Sequence, residues 1–206
     1  MKKFSKNLSV LGAALIATMA GSVSAETLTV PVAVTVDNTI DFTLTGTLDF
    51  GTIRATADGS AAVNCVGLTM PANPASPLNA TLGTAGALAC TADGTAVIQN
   101  VGGTPTRPEF AVAGLAPFTA LTLTLPSTAD LALNPAPAGA PILQLIDFTA
   151  YQSSGTPGAA TTTVTADGTG NIAFTVGATM ITDPGTPTLA YENTAYAGEF
   201  DVTVSY

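Results

Sequence analysis

Residues 28–50 read LTVPVAVTVDNTIDFTLTGTLDF. Almost every second residue of this stretch is apolar, and the residues between are mostly Thr and Asp. Because the side chains of a β-strand point alternately to opposite faces, a period of two indicates a strand with one buried and one solvated face. We therefore predict strands at 28–36 and 40–50, joined by the short link Asp37-Asn38-Thr39.

The rest of the chain continues this pattern, with short β-branched runs between Gly and Pro and no evident helical period. Further strands are predicted at 60–68, 96–100, 109–112, 120–125, 142–150, 161–165, 171–175 and 199–206. Pro-rich loops are predicted at 69–80 and 134–141. Many short strands in one chain of this length predict an all-β fold, a single-domain antiparallel β-sandwich.

The tetrapeptide Thr-Ala-Asp-Gly occurs three times, ending at Gly59, Gly94 and Gly168. Asp-Gly favours tight hairpin turns, since Gly takes a positive φ without strain. A calcium site is the alternative, but none of the three copies has the alternating Asp spacing of a calcium loop. We therefore predict three turns.

The composition excludes several classes of function. Charged residues make up 9% of the 206, with five Lys and Arg in total and no His. Nucleic-acid binding needs many cations, and His-dependent catalysis or metal binding needs His. Glu199 and Asp201 share a strand face opposite Phe200 and Val202, which predicts a solvated outer face rather than a glycosidase carboxylate pair. We expect no enzyme activity, no catalytic or metal-ligating residues and no cofactor.

Residues 1–25 are typical of a secretory signal peptide, with three Lys, an apolar core and small residues at 23–25. The apolar core is shorter than the roughly 20 residues of a membrane-spanning helix. We therefore expect export through the Sec pathway, an amino-terminal extension at 26–36, a sandwich domain at 37–206 and no membrane span after processing. The remaining 181 residues carry two Arg against 14 acids, a formal charge of −12, which disfavours nucleic acid as a partner.

Two cysteines, Cys65 and Cys90, lie 25 positions apart. An even number in an exported chain favours a disulfide. Two buried thiols are the alternative, whereas the spacing is wrong for a redox motif or a metal site.

Four segments carry a family resemblance: LDFGTI at 48–53, EFAVAG at 109–114, FTVGAT at 174–179 and YAGEFDVTVSY at 196–206. Together they resemble the domain-of-unknown-function family 4402 of secreted Gram-negative proteins, over nearly the whole chain after residue 25. That family is similar to fimbrial, pilin-like subunits, in which Phe-Gly-Thr follows the first strand and the last strand closes on Tyr. The resemblance implies an immunoglobulin-like, pilin-like sandwich in the periplasm, at the cell surface or in a fimbrium.

The resemblance also implies a function as a structural subunit of an adhesive, pilus-like filament. In such subunits a strand is missing from the sandwich, and the amino-terminal strand of a neighbour fills the gap. Head-to-tail self-association then builds the filament, with a periplasmic chaperone and an outer-membrane assembly platform as further partners. The donated side chains implied here are Leu28, Val30, Val32, Val34 and Val36. The assembly strand that receives the donor or the chaperone is implied at Phe200, Val202, Val204 and Tyr206.

Two alternatives stay open. Pro31 lies inside the proposed donor and cannot donate a backbone hydrogen bond. The first alternative is therefore that residues 28–36 form the edge strand of a self-contained periplasmic or surface sandwich that binds another partner. A small outer-membrane β-barrel is a third hypothesis, since its strands also alternate and its last residue is also aromatic, although few aromatic residues are present for its girdles.

Overall fold

The computed structural model describes residues 31, 33–34, 39–82 and 90–206. Contacts divide the chain into two units, Met1–Asp37 and Asn38–Tyr206. In the first unit the three described residues, at 31, 33 and 34, are exposed. In the second unit the described strands form an antiparallel β-sandwich, so the prediction of an all-β, single-domain fold is confirmed.

The described strands of the second unit are short except for two, and each ladder between described strands is antiparallel. They are β1 (Asp41–Thr45), β2 (Thr52–Thr56), β3 (Val66–Met70), β4 (Asn79–Leu82), β5 (Val97–Gly102), β6 (Glu109–Ala113), β7 (Ala120–Thr124), β8 (Thr128–Leu131), β9 (Leu143–Gln152), β10 (Gly158–Ala160), β11 (Thr163–Thr165), β12 (Ile172–Thr182) and β13 (Thr203–Ser205).

The long strands β9 and β12 pair at the centre of the main sheet, from Phe174↔Gln152 to Thr182↔Leu143. The other edge of β12 is shared, because β6 pairs with its first half and β3 with its second half. Beyond these lie β1 on β6 and β4 on β3, while β10 and β8 share the outer edge of β9. We call the half with β1, β6 and β10 the upper half, and the half with β3, β4 and β8 the lower half.

A second layer covers one face of the main sheet in two pieces. The sheet β11-β7-β13 lies over the upper half and encloses the upper core, which includes Phe110, Leu121 and Phe174. The pair β2–β5 lies over the lower half and encloses the lower core, which includes Leu143 and Met180. Alternating apolar residues of facing strands interdigitate in both cores, as the period of two predicted.

Strand β12 is longer than the predicted strand 171–175, because it is buried on both faces and contains polar residues that interrupt the apolar pattern. Its threonines are hydrogen-bonded: Thr175 Oγ1 donates to Ala72 O at 2.7 Å, and Thr182 Oγ1 accepts from Val66 N at 3.1 Å. Satisfying these hydroxyls makes their burial tolerable. Gly177 faces the backbone of residues 70–72 so closely that an added Cβ would overlap it.

Other strand predictions need correction. Strands β2, β4, β8 and β10 were not predicted, because each is short and none has a long apolar alternation. The strand predicted at 60–68 begins only at Val66, and the predicted 40–50 strand is paired continuously only to Thr45. The strand predicted at 199–206 is paired only over Thr203–Ser205. In these segments tertiary pairing, not local pattern, sets the boundaries.

The three Thr-Ala-Asp-Gly segments lie in turns, as predicted, but none of them joins two described strands that pair with each other. Of their three glycines only Gly94 has a positive φ, 54°. The aspartates organise the loops instead. Asp58 is buried and accepts from Ser60 N at 2.8 Å and Thr95 N at 3.0 Å, which ties two separate loops together.

The predicted disulfide joins Cys65 and Cys90, whose Cα atoms are 5.1 Å apart. Both residues are buried against Ile146 and Ile181, outside the two cores. Within the part of the chain that the structure describes, no helix has the length and apolar character needed to cross a membrane.

Candidate functional site

The first and last strands of the sandwich are both edge strands. Among the described strands, β1 pairs with β6 alone and β13 pairs with β7 alone. Strand β1 belongs to the main sheet, and β13 belongs to the second layer. Each edge therefore presents backbone donors and acceptors that a further strand can pair with.

Both edges border the upper core. Ile40 and Phe42 pack against it from the first strand, and Val202 and Val204 pack against it from the last. All four are only half-buried, and Leu44, two positions after Phe42 on the same face, is 60% exposed. The upper core is therefore incompletely covered along these two edges.

A stack of three phenylalanine rings shows where burial of the upper core becomes incomplete. The rings of Phe174 and Phe110 lie 5.1 Å apart, and Phe42 lies 5.6 Å from Phe110. Phe174 and Phe110 are buried, whereas Phe42, the outermost ring, is half-buried. An apolar side chain placed beside β1 would complete the burial of this ring.

In the lower half the same two chain segments are separated by a cleft of about 760 Å³. One wall contains residues 48–55, which follow β1 and include β2, and the other contains residues 191–198, which lead toward β13. Its floor includes Leu131, Leu143 and Met180 of the lower core. We use the term groove for the cleft together with the gap between the open edges of β1 and β13.

The two walls of the groove run in opposite directions. The first passes from Phe42 at the upper core to Ile53 at the lower core. The second passes from Tyr196 at the lower core, through Phe200 at both cores, to Val204 at the upper core. A strand lying in the groove would be antiparallel to one wall and parallel to the other.

The loop that forms the lower second wall is anchored by a tyrosine. Tyr191 Oη donates to Ile142 O at 2.7 Å and accepts from Asp183 N at 2.9 Å. Burial raises the pKa of Tyr191 well above its usual value, so the hydroxyl stays protonated. Tyr196 meets the Tyr191 ring edge-on at 5.5 Å, and its hydroxyl accepts from Glu192 N. These contacts fix the loop that forms the second wall of the cleft.

Three of the predicted assembly residues, Phe200, Val202 and Val204, pack against the upper core, and none of the four lines the lower cleft. Phe200 stacks on Phe148 with ring centroids 4.9 Å apart, Val202 and Val204 half-cover the upper core, and Tyr206 is 61% exposed. The proposed donor residues Leu28, Val30, Val32 and Val36 lie outside the described residues, and Val34 is 83% exposed.

Sequence reasoning missed the lower wall formed by β2 and the loop at 191–196. The tyrosines of that loop were the available signal, because buried Tyr hydroxyls need partners and so mark a fixed loop. Glu199 and Asp201 are exposed, as their alternation with Phe200 predicted. Among residues 39–82 and 90–206 no three acidic or Cys side chains converge as a metal site.

No family model, no curated protein and no solved structure significantly matches this chain. The groove is therefore interpreted from its own geometry.

Proposed function

We propose that this protein is a non-catalytic subunit of a cell-surface filament, and that its groove receives a β-strand donated by a neighbouring copy. The observation that carries the proposal is the position of the C-terminal strand. Strand β13 is an edge strand, and together with the residues that lead into it, it carries a half-buried apolar face made of Phe200, Val202 and Val204. An added strand would bury that face and pair with the free edge.

The segment at 28–36 has the pattern that such a site needs. Five apolar side chains at every second position match the period of a groove floor made of strand residues. Nine residues at about 3.4 Å each span roughly 30 Å, enough to contact both the upper and the lower core. Pro31 limits backbone pairing at one position, so pairing begins at about Val32 while Leu28 and Val30 contribute side-chain burial.

Filament growth selects the direction of the donated strand. The chain enters the sandwich at the upper end, since Ile40 directly precedes the first residue of β1. For subunits to stack head to tail, the upper end of each donor must face the lower end of its acceptor. Val36, nearest the donor's own domain, then lies at the lower end of the acceptor's groove. This direction is parallel to β1 and antiparallel to the C-terminal strand.

The proposal extends to location and partners, in keeping with the resemblance to fimbrial subunits. An exposed apolar groove needs cover before assembly, which a periplasmic chaperone strand would supply. The signal-peptide pattern at 1–25, the disulfide and the small number of cationic residues support a periplasmic or extracellular location for such a subunit.

A self-contained monomeric module is the second candidate, and one observation favours it. Only three residues, 37–39, separate the proposed donor from Ile40. A link this short suits a hairpin, in which the segment would fold back antiparallel to the chain's own β1. The two candidates therefore differ in the direction of the inserted strand as well as in its source.

Paired cysteines distinguish the two directions. With V34C, a partner at Ala55 in the lower cleft tests the filament direction, and a partner at Val204 in the upper half tests the hairpin. We expect V34C/A55C to form disulfides between chains, seen as a ladder on a non-reducing gel. The V34C/V204C variant should form none in the filament.

The matched control is V34C/T203C, because Thr203 neighbours Val204 but faces solvent. The V34C and A55C single variants control for random dimerisation. A fast-migrating, internally cross-linked V34C/V204C monomer with no ladder from V34C/A55C would refute strand donation and establish the self-contained module.

A further inference from the structure

The upper end of the sandwich carries an exposed aromatic residue with an unusual backbone. Phe118 lies in the loop between β6 and β7, has φ of 62° and is 73% exposed. A bulky residue rarely takes a positive φ, because its Cβ crowds the backbone. Because most of the ring is exposed, little burial within the subunit offsets this strain.

The loop that holds Phe118 is well tied down. Phe118 N donates to Asp167 O at 3.2 Å, and Leu115 N donates to Gly170 O at 3.1 Å. Asp167 in turn accepts from the backbone of Thr169 and Asn171, and these hydrogen bonds hold the pKa of that carboxyl below its usual value. These hydrogen bonds fix the backbone of the loop from which the Phe118 ring projects.

Phe118 lies at the end where the chain enters the sandwich. Ala113, the last residue before its loop, pairs with Asp41, the first residue of β1. The last residue of the chain, Tyr206, is at the same end, since Ser205 pairs with Thr122 just after the loop. Two exposed aromatic side chains therefore flank the entry point of the chain.

Exposed aliphatic residues lie at the opposite, lower end. Val97, 45% exposed, begins β5 and pairs with Thr56 at the lower end of β2. Leu189, also 45% exposed, lies in the loop after β12, and its N–H donates to Gly139 O in the loop before β9. We call Val97 and Leu189 the lower apolar residues.

Resting on the proposed strand donation, we infer that Phe118 packs against the lower apolar residues of the next copy. Four peptide units join Val36 to Ile40, and they span at most about 14 Å. A neighbour that holds Val36 at the lower end of its groove is therefore held close to the donor's upper end. The occupant is a second copy, and the contact is heterologous, aromatic at one end and aliphatic at the other. Because the chain has a net negative charge, two copies repel each other on average, and the attraction at this contact is apolar.

The test compares assembly of the full chain with that of F118G, L189S and the double variant. The readouts are the protein concentration at which polymer sediments and the unfolding midpoint of the monomer below that concentration. We expect F118G to leave the monomer midpoint unchanged or higher, since Gly adopts this φ freely. Assembly should need about tenfold more protein for each single variant, as for loss of a central interface residue.

If Phe118 and Leu189 share one contact, the double variant should need little more protein to assemble than the single variant that assembles less well. The matched control is D147G, which removes a positive-φ side chain (φ 50°) from the middle of β9, away from both ends, and should not change assembly. Unchanged assembly of F118G and L189S beside a strand-donating wild type would overturn the end-to-end contact alone. A lower monomer midpoint in F118G would assign Phe118 to folding and also overturn the contact. A wild type that stays monomeric at every concentration would overturn both the contact and the strand donation.

Discussion

Replacing Phe200 by Ala is expected to lower the free energy of unfolding of the monomer by about 2.5–3.5 kcal/mol. Complete burial of a Phe makes truncation to Ala cost about 3–5 kcal/mol, and Phe200 is half-buried, so roughly 2 kcal/mol is expected from burial. Its tilted stack on Phe148, with centroids 4.9 Å apart, adds about 0.5–1.5 kcal/mol. Because Phe200 contacts both cores, the loss should also weaken the link between the two halves of the sandwich.

The measurement is denaturant unfolding at a concentration where the chain is monomeric. Tyr206→Ala, at a 61% exposed position of the same segment, is the matched control and should change stability by no more than about 0.5 kcal/mol. A double-mutant cycle of Phe200→Ala with Phe148→Ala should give a coupling of about 1 kcal/mol. Equal effects of Phe200→Ala and Tyr206→Ala would mean that the C-terminal strand is not docked on the core. The groove would then lack its second wall.

Three further predictions concern the scaffold. Replacing Cys65 and Cys90 by Ala should cost about 3.5 kcal/mol, the loop-closure entropy for their separation of 25 residues, and a reductant titration of the native chain should reach the same stability. Gly177→Ala should cost about 3 kcal/mol or yield insoluble protein, since its Cβ would overlap backbone. The control Gly158→Ala, which has open space, should cost less than about 1 kcal/mol. Hydrogen bonds from Ser60 and Thr95 hold the pKa of Asp58 far below its usual value. Its stabilisation is therefore present at neutral pH and lost as the pH falls below about 4, and Asp58→Asn should flatten that acid loss in thermal melts.

The C-terminal segment shows why part of the candidate site was predictable. Its alternation marks Phe200, Val202 and Val204 as one apolar face, and the structure places that face on the core. Alternation is a local property, because it follows from the geometry of a single extended chain. Whether the strand is central or at an edge depends on which other strands pair with it. That information is not local, and only the register with β7 shows that its far side is open among the described strands.

Strands β2 and β12 illustrate the opposite failure. Residues 52–56 have the sequence TIRAT, with no long apolar run, yet they form a wall of the groove because β5 pairs with them. Residues 176–182 look irregular because Thr and Gly interrupt the apolar pattern, yet they form half of the most buried strand. Hydrogen bonds to distant parts of the chain, such as the one that Thr182 Oγ1 accepts from Val66 N, make those polar residues acceptable in the interior.

By itself the sequence determined the all-β class of fold and the apolar faces of the regularly alternating strands, and it favoured a disulfide between its two cysteines. Each of these rests on side-chain alternation, turn residues or the number of cysteines, which neighbouring residues encode. Only the tertiary structure decided that the first and last strands both end as open edges beside one core. It also decided that Phe118 and Leu189 lie at opposite ends of the sandwich. Those placements depend on long-range strand pairing, which is determined by shared burial and backbone hydrogen bonds between residues far apart in the chain.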